Sequence, residues 1–245
     1  MNVLSIFLMN TCNNSCWYCP VKGFLVQPED GRVMELPGDP GPPREREPED
    51  SPGWHPAFEK FKGTVNVLNN EAILRYLDAF ISPQDWVIEI TGGEPGLYPH
   101  INELLTSLNE RGYWGVVKTN GTLPVHKTIR FQRIAAWHTE RPTHYDLMLI
   151  INTPDGLWKE KEDYCKSHKI PYEFSWFISP EKKGTPYSLN LPDGRGLNIT
   201  QMHKGINSLC ISSSGWVHGC HHEMGQFTRE VSIFDEELKE PPFVG

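Results

Sequence analysis

Positive charge is scarce in this sequence, and so are long apolar runs at its start and cysteines outside one segment. Lys and Arg number 23 against 31 Asp and Glu, a net charge of -8. That balance opposes non-specific attraction to a phosphate backbone, so composition carries no strong nucleic-acid signal. The opening run, Met1 to Met9, is apolar but lacks a basic leader. Its nine residues fall short of a signal peptide and of the roughly 20 that cross a bilayer. The expectation is a cytoplasmic protein with no membrane partner. No internal repeat interrupts the 245 residues, a length that suits one domain, or one domain with an elaborated loop. Six cysteines, half of them in one short segment, fit a reducing compartment better than a disulfide framework.

That segment is Thr11-Cys12-Asn13-Asn14-Ser15-Cys16-Trp17-Tyr18-Cys19-Pro20. Three thiolates at x3 and x2 spacing on a loop can converge on one soft metal centre, because the backbone curls and each sulfur approaches from its own side. A cube of iron and sulfide has four corner irons, so three cysteines leave one without a protein ligand. A catalytic metal keeps one position open for substrate or cofactor by the same logic. The competing reading of these residues is a structural zinc site, in which Cys12, Cys16, Cys19 and a histidine stabilise a binding module that does no catalysis.

Residues 2–9 form a β-rich apolar run without strict alternation, as expected of a strand covered on both faces in a parallel sheet. In residues 24–63, prolines from Pro37 to Pro56 are interleaved with glycine and charge, and no regular element is expected. This stretch reads either as a solvated insertion or as a lid, with Trp54, His55 and Phe58 able to dock on a barrel mouth. Helical spacing marks residues 68–81, capped by Asn69 or Asn70, and again 98–111. Residues 86–91 read as a strand ending at Gly92-Gly93, where the lack of side chains would let a ligand lie against backbone. A third strand is expected at 115–118, a helix at 125–137, a fourth strand at 146–151 with Asn152 at its end, a helix at 157–168 and a fifth strand at 172–178. This alternation argues for α/β structure with a parallel sheet, about six βα units making an open, partial barrel. Its chemistry belongs on the loops after the C-terminal strand ends. Residues 179–207 are unassigned, and 208–220 read as a hairpin with its turn at Ser214-Gly215. The expected division is a core at 1–178 and a C-terminal extension at 179–245 that completes the barrel.

The cysteine spacing, with the aromatic Tyr18 just before the last cysteine, resembles the signature of the radical S-adenosylmethionine (radical SAM) superfamily. The order of the other motifs strengthens the resemblance. In that superfamily the cysteine loop follows the first barrel strand, Gly-Gly-Glu-Pro ends the second, and a Thr-Asn-Gly turn often ends the third. Thr91-Gly92-Gly93-Glu94-Pro95 and Lys118-Thr119-Asn120-Gly121-Thr122 stand in those places, and the likeness covers about residues 2–178. It implies a partial (β/α)6 TIM-like barrel, a 4Fe-4S cluster held by Cys12, Cys16 and Cys19, and S-adenosyl-L-methionine chelating the open iron. It puts the methionine ammonium at the backbone of Gly92, Gly93, Glu94 and Pro95, and adenine and ribose near Tyr18 and the segment of Lys118, Thr119, Asn120, Gly121 and Thr122, with Asn152 a further contact. The implied reaction is reductive cleavage of the cofactor to a 5′-deoxyadenosyl radical, which abstracts hydrogen from a small-molecule, peptide or nucleotide substrate. No catalytic residue beyond cluster and cofactor is implied, and a low-potential electron donor such as flavodoxin or ferredoxin is.

Within the superfamily the compact length also resembles the activases of glycyl-radical enzymes. The 7-carboxy-7-deazaguanine synthases share a shortened barrel but have a longer first cysteine gap. Gly215-x-Val217-x-x-Cys220 looks like the segment that opens the auxiliary-cluster extension of some peptide-modifying and maturase enzymes, yet no cysteine follows Cys220. Cys165 and Cys210 read as small buried residues. Cys220, with His218, His221 and His222 nearby, is open to a second metal site, a substrate contact or plain packing.

Overall fold

The computed structural model describes residues 2–14, 67–138, 140–152, 157–176, 188–190, 196–198, 208–213, 215–219 and 231–241. Cys16, Tyr18, Cys19, the insertion at 24–63, Cys220, His221 and His222 lie outside them. Six parallel strands follow one another: β1 (Asn2–Phe7), β2 (Trp86–Thr91), β3 (Gly115–Thr119), β4 (Phe131–Trp137), β5 (Leu147–Asn152) and β6 (Tyr172–Trp176). A short antiparallel ribbon of β7 (Ser188–Asn190) and β8 (Gly196–Asn198) stands apart from this sheet. The chain then returns to the first strand. β9 (Ser208–Ile211) pairs in parallel with the free edge of β1, and β10 (Val217–Gly219) folds back antiparallel on β9 through a turn whose Gly215 has φ +84°. The order β10-β9-β1-β2-β3-β4-β5-β6 leaves β10 and β6 as unjoined ends, so the fold is an α/β partial barrel that stays open.

The two faces of the sheet differ in what covers them. Leu4, Ile6, Ile88, Ile90 and Val117 pack outward on α1 (Asn70–Phe80) and α2 (Ile101–Glu110), whose Ile73, Leu77, Leu104 and Leu108 are fully buried. The alternate residues Val3, Val87, Val116, Ile134, Leu149 and Ile151 form a second cluster on the inner face. Burial on both sides explains why these strands read as continuous apolar runs. Asn69 starts α1 by accepting the Ala72 N–H at 2.7 Å, a cap that contributes about 1 kcal/mol. α3 (Trp158–Ser167) packs behind β5 through Cys165, which lies with Met148 and Ile150 in a small third cluster. No helix among the described residues is long and apolar enough to cross a membrane.

Residues 125–137, expected as a helix, contain β4 instead. Phe131, Ile134 and Ala135 are buried at i, i+3 and i+4, a spacing shared by one helical face and a strand covered on both faces. Pairing decides the matter, since five residues of β4 register with β3 and four with β5. Arg133 fixes the junction with a fork onto Asp146, Nε to Oδ2 at 3.0 Å and Nη2 to Oδ1 at 2.9 Å. The strand expected fourth is consequently the fifth.

Candidate cofactor and metal site

β1 runs on past its last ladder residue into the cysteine loop, and β2 follows it. The Leu8 N–H donates to the Thr91 carbonyl at 3.0 Å, Gly93 N–H to Met9 at 2.8 Å and Glu94 N–H to Thr11 at 2.8 Å. A side chain on either glycine would break this ladder, because a Cβ would stand 1.9 Å from the Thr11 oxygen at Gly93 and 2.6 Å from the Met9 oxygen at Gly92, which also has φ +127°. The glycines therefore take the cysteine loop's own backbone on one side. Among the described residues nothing donates to the Gly92 and Gly93 carbonyls, which remain as acceptors.

Cys12 is buried at the end of this ladder, and its Sγ accepts the Asn14 N–H at 3.4 Å. Backbone donors to sulfur stabilise thiolate character and tune iron–sulfur centres. Beside it the Thr11 hydroxyl is fully buried with no hydrogen-bond partner among the described residues. A buried cysteine sulfur that already accepts an N–H, next to a hydroxyl lacking a partner, fits a sulfur-rich cluster at this loop. No group of three or more metal-binding side chains converges among the described residues, two of the three candidate cysteines being outside them.

Glu94 joins the second and third motifs. Its side chain is 1% exposed, and its carboxylate accepts from Gly96 N–H at 2.8 Å, Thr119 Oγ1–H at 2.5 Å and Asn120 N–H at 2.6 Å. Burial pushes the carboxyl above its usual range, while the Asn120, Thr119 and Gly96 donors pull it back. Pro95 opens the 3-10 turn Pro95–Leu97 that brings the Gly96 N–H onto Glu94. The Thr119–Thr122 turn is closed by Gly121 at φ +68°, where a Cβ would strike Pro142 and Ala135. Asn120 Nδ2 reaches across the mouth to Asn13 Oδ1 at 2.7 Å, so the cysteine loop and the third-strand turn touch.

Glu94, Thr119 and Asn120 are thus brought together beside Cys12, with Gly92, Gly93 and Pro95 forming the backbone that joins them. Lys118 is not part of this group. One residue earlier on the strand, it lies on the inner face and pairs with Glu89 at 2.9 Å, the two side chains 27% and 11% exposed. Asn152 ends β5 at the same mouth. Cys210 is buried in β9, in register with Ser5 of β1 and with His218 of β10. Cys165 is buried behind β5, where burial pushes its thiol up. Thr122 belongs to the segment expected at adenine and ribose, whereas Asn13 and Glu89 carry no role in the sequence reading. Asn13 sits inside the cysteine motif, so position alone could have marked it; Glu89, a lone acid within an apolar strand, carried the clearest signal.

The 7-carboxy-7-deazaguanine synthase of Methanocaldococcus jannaschii is 28% identical over 127 residues, which cover 49% of this chain and 47% of that protein. The chain therefore spans about half the length of the curated relative it matches. The crystal structure of Streptococcus suis SuiB bound to S-adenosylmethionine superposes with a TM-score of 0.54 at 15% identity, covering 96% of this chain and 66% of SuiB, a likeness of fold. The family model described as the Radical SAM superfamily matches residues 6–147, a span from the end of β1 to the start of β5 that holds the cysteine loop, the glycine ladder and the Thr119–Thr122 turn. The chain belongs to the Radical SAM superfamily.

Proposed function

We propose that the protein is a radical SAM enzyme in which Cys12, Cys16 and Cys19 hold a 4Fe-4S cluster and S-adenosyl-L-methionine takes the remaining iron. The observation that carries this reading is the docking of the Met9 and Thr11 backbone, the segment that leads into Cys12, on Gly92, Gly93 and Glu94. It sets a buried sulfur beside two backbone carbonyls and a buried carboxylate. An ammonium offers only donors, and these acceptors suit it. Adenine and ribose fall to Tyr18, Thr119 and Asn120, with Asn152 across the mouth. When bound, cluster and cofactor supply a one-electron cleavage whose 5′-deoxyadenosyl radical takes a hydrogen from the substrate. The chain's own work is to hold, orient and exclude water, for which the inner face of Val87, Val116, Ile134, Leu149 and Ile151 is suited. The proposed division is a core at 1–178, within which 24–63 are an irregular insertion or lid outside the described residues, and an extension at 179–245 that completes the barrel.

The electron comes from a low-potential donor such as flavodoxin or ferredoxin. The Lys118–Glu89 pair lies on the inner face, as Glu173 does by its register with Leu149, and these charged groups favour a small-molecule, peptide or nucleotide substrate that brings a polar or charged group inside. Anaerobic reconstitution with iron and sulfide tests the proposal. Cys16→Ala is expected to abolish both cluster assembly and cofactor cleavage, and Cys220→Ala to leave cleavage largely intact. Loss in both variants would bring Cys220 into the site. Stoichiometric, colourless zinc in place of brown iron–sulfide absorbance would establish a zinc-stabilised binding module.

A further inference from the structure

We propose that Asn13, which stands between the first two cysteines and is not a ligand, is a positioning residue that latches the cysteine loop to the turn after β3. The inference rests on the cofactor reading above. Asn13, Asn120 and Thr122 close a ring of three side-chain hydrogen bonds: Asn120 Nδ2 donates to Asn13 Oδ1 at 2.7 Å, Asn13 Nδ2 to Thr122 Oγ1 at 3.0 Å, and Thr122 Oγ1–H to Asn120 Oδ1 at 2.6 Å. The sense of the ring is fixed from the backbone. Thr122 N–H donates to Asn120 Oδ1 at 3.0 Å, which decides the end of that amide facing the turn, and the other two bonds follow. All three run the same way round, so each polarises the next.

The ring ties segments 107 and 109 residues apart in sequence. Asn120 also gives its backbone N–H to Glu94, so the cysteine loop, the Gly-Gly-Glu-Pro segment and the Thr-Asn-Gly-Thr turn form one hydrogen-bonded unit. A loop that carries metal ligands has to be held by something other than the ligands if its geometry is to survive a change of redox state or of bound cofactor. Asn13 supplies that hold from inside the motif, and it does so at the turn where the nucleoside half of the cofactor is expected. Cofactor binding at the turn and sulfur placement in the loop are then coupled through the same three side chains.

Asn13→Ala and Thr122→Val each open the ring, while Thr122→Ser keeps the hydroxyl. The full chain, reconstituted anaerobically with iron and sulfide and reduced, is titrated with S-adenosylmethionine and followed by electron paramagnetic resonance. Asn13→Ala and Thr122→Val are expected to take up iron like the parent and to bind S-adenosylmethionine about tenfold more weakly. The double variant is expected to be no weaker than either single one, and Thr122→Ser to match the parent. Parent affinity in both singles, or an additive loss of about a hundredfold in the double variant, overturns the latch. A second reading uses the metal-free chain. Amide hydrogen exchange over residues 119–122 is expected to quicken about tenfold in Asn13→Ala, and unchanged exchange overturns the latch whatever the cluster does. A parent chain that takes up no iron–sulfur cluster defeats the proposed function, and the exchange comparison still decides the latch.

Discussion

Replacing Glu94 with Gln exchanges one of its acceptor oxygens for a donor. Because Oε1 accepts from Gly96 and Thr119 and Oε2 from Asn120, either orientation of the amide sets two donors face to face. The expected cost is about 1–3 kcal/mol, read as a lower urea midpoint of the metal-free chain; an unchanged midpoint contradicts the satisfied carboxylate described here. His138, at the end of β4, shows the opposite direction of shift. Burial, and then the charge of Lys161, lowers it from 6.5 to about 4, while Lys161 Nζ itself donates to the Trp137 and His138 carbonyls at 2.9 and 2.8 Å. Between pH 6.5 and about 4 the unfolded chain binds a proton at this residue and the folded chain does not. The contribution of His138 is therefore complete above pH 6.5 and is lost as pH falls through 4. His138→Gln is expected to flatten the acid loss of stability in that window, and an unaltered slope would show that His138 titrates normally. The motif residues were legible at this scale because their chemistry is local. The pairing of Asn13 with Thr122 was not, since the two stand 109 positions apart and meet only on folding.

At the scale of elements, two glycines separate steric exclusion from backbone strain. Gly93→Ala would drive a Cβ to 1.9 Å from the Thr11 oxygen, so β2 must part from the cysteine loop, at an expected cost of more than about 3 kcal/mol in thermal or denaturant unfolding. Gly112 has φ +85° with open space around it, and its Ala variant is expected to cost only the strain, about 1–2 kcal/mol. A Gly93 variant as mild as the Gly112 one would contradict the close approach of loop and strand. The sequence shows the order of strands and motifs because parallel strands buried on both faces leave long apolar runs, as at β1, β2 and β5. It misleads at β4 because Phe131, Ile134 and Ala135 satisfy a helical stripe as well as a two-sided strand, and neighbours far along the chain choose between them. It also leaves the meaning of Gly92-Gly93 half read. Close backbone approach was legible, but the backbone that approaches from one side is that of residues 9–11 rather than a ligand.

For the whole molecule, the open sheet matters more than any one strand. β9 returns to the free edge of β1, so the strand carrying Cys210 flanks the strand that leads into Cys12. The inner face is apolar apart from a few groups, and the Lys118–Glu89 pair is held there rather than at the Glu94 network. Lys118→Gln is accordingly expected to leave the affinity for S-adenosylmethionine within about twofold of the parent, a difference under 0.5 kcal/mol. A larger loss would return Lys118 to the cofactor site. The central claim is that three sulfurs hold a cluster whose remaining iron is open to the cofactor. It is tested most directly by the electron paramagnetic resonance spectrum of the reduced, reconstituted protein before and after S-adenosylmethionine is added. A reduced 4Fe-4S signal that changes shape on addition is expected; no such signal, or one that S-adenosylmethionine leaves untouched, would contradict the account.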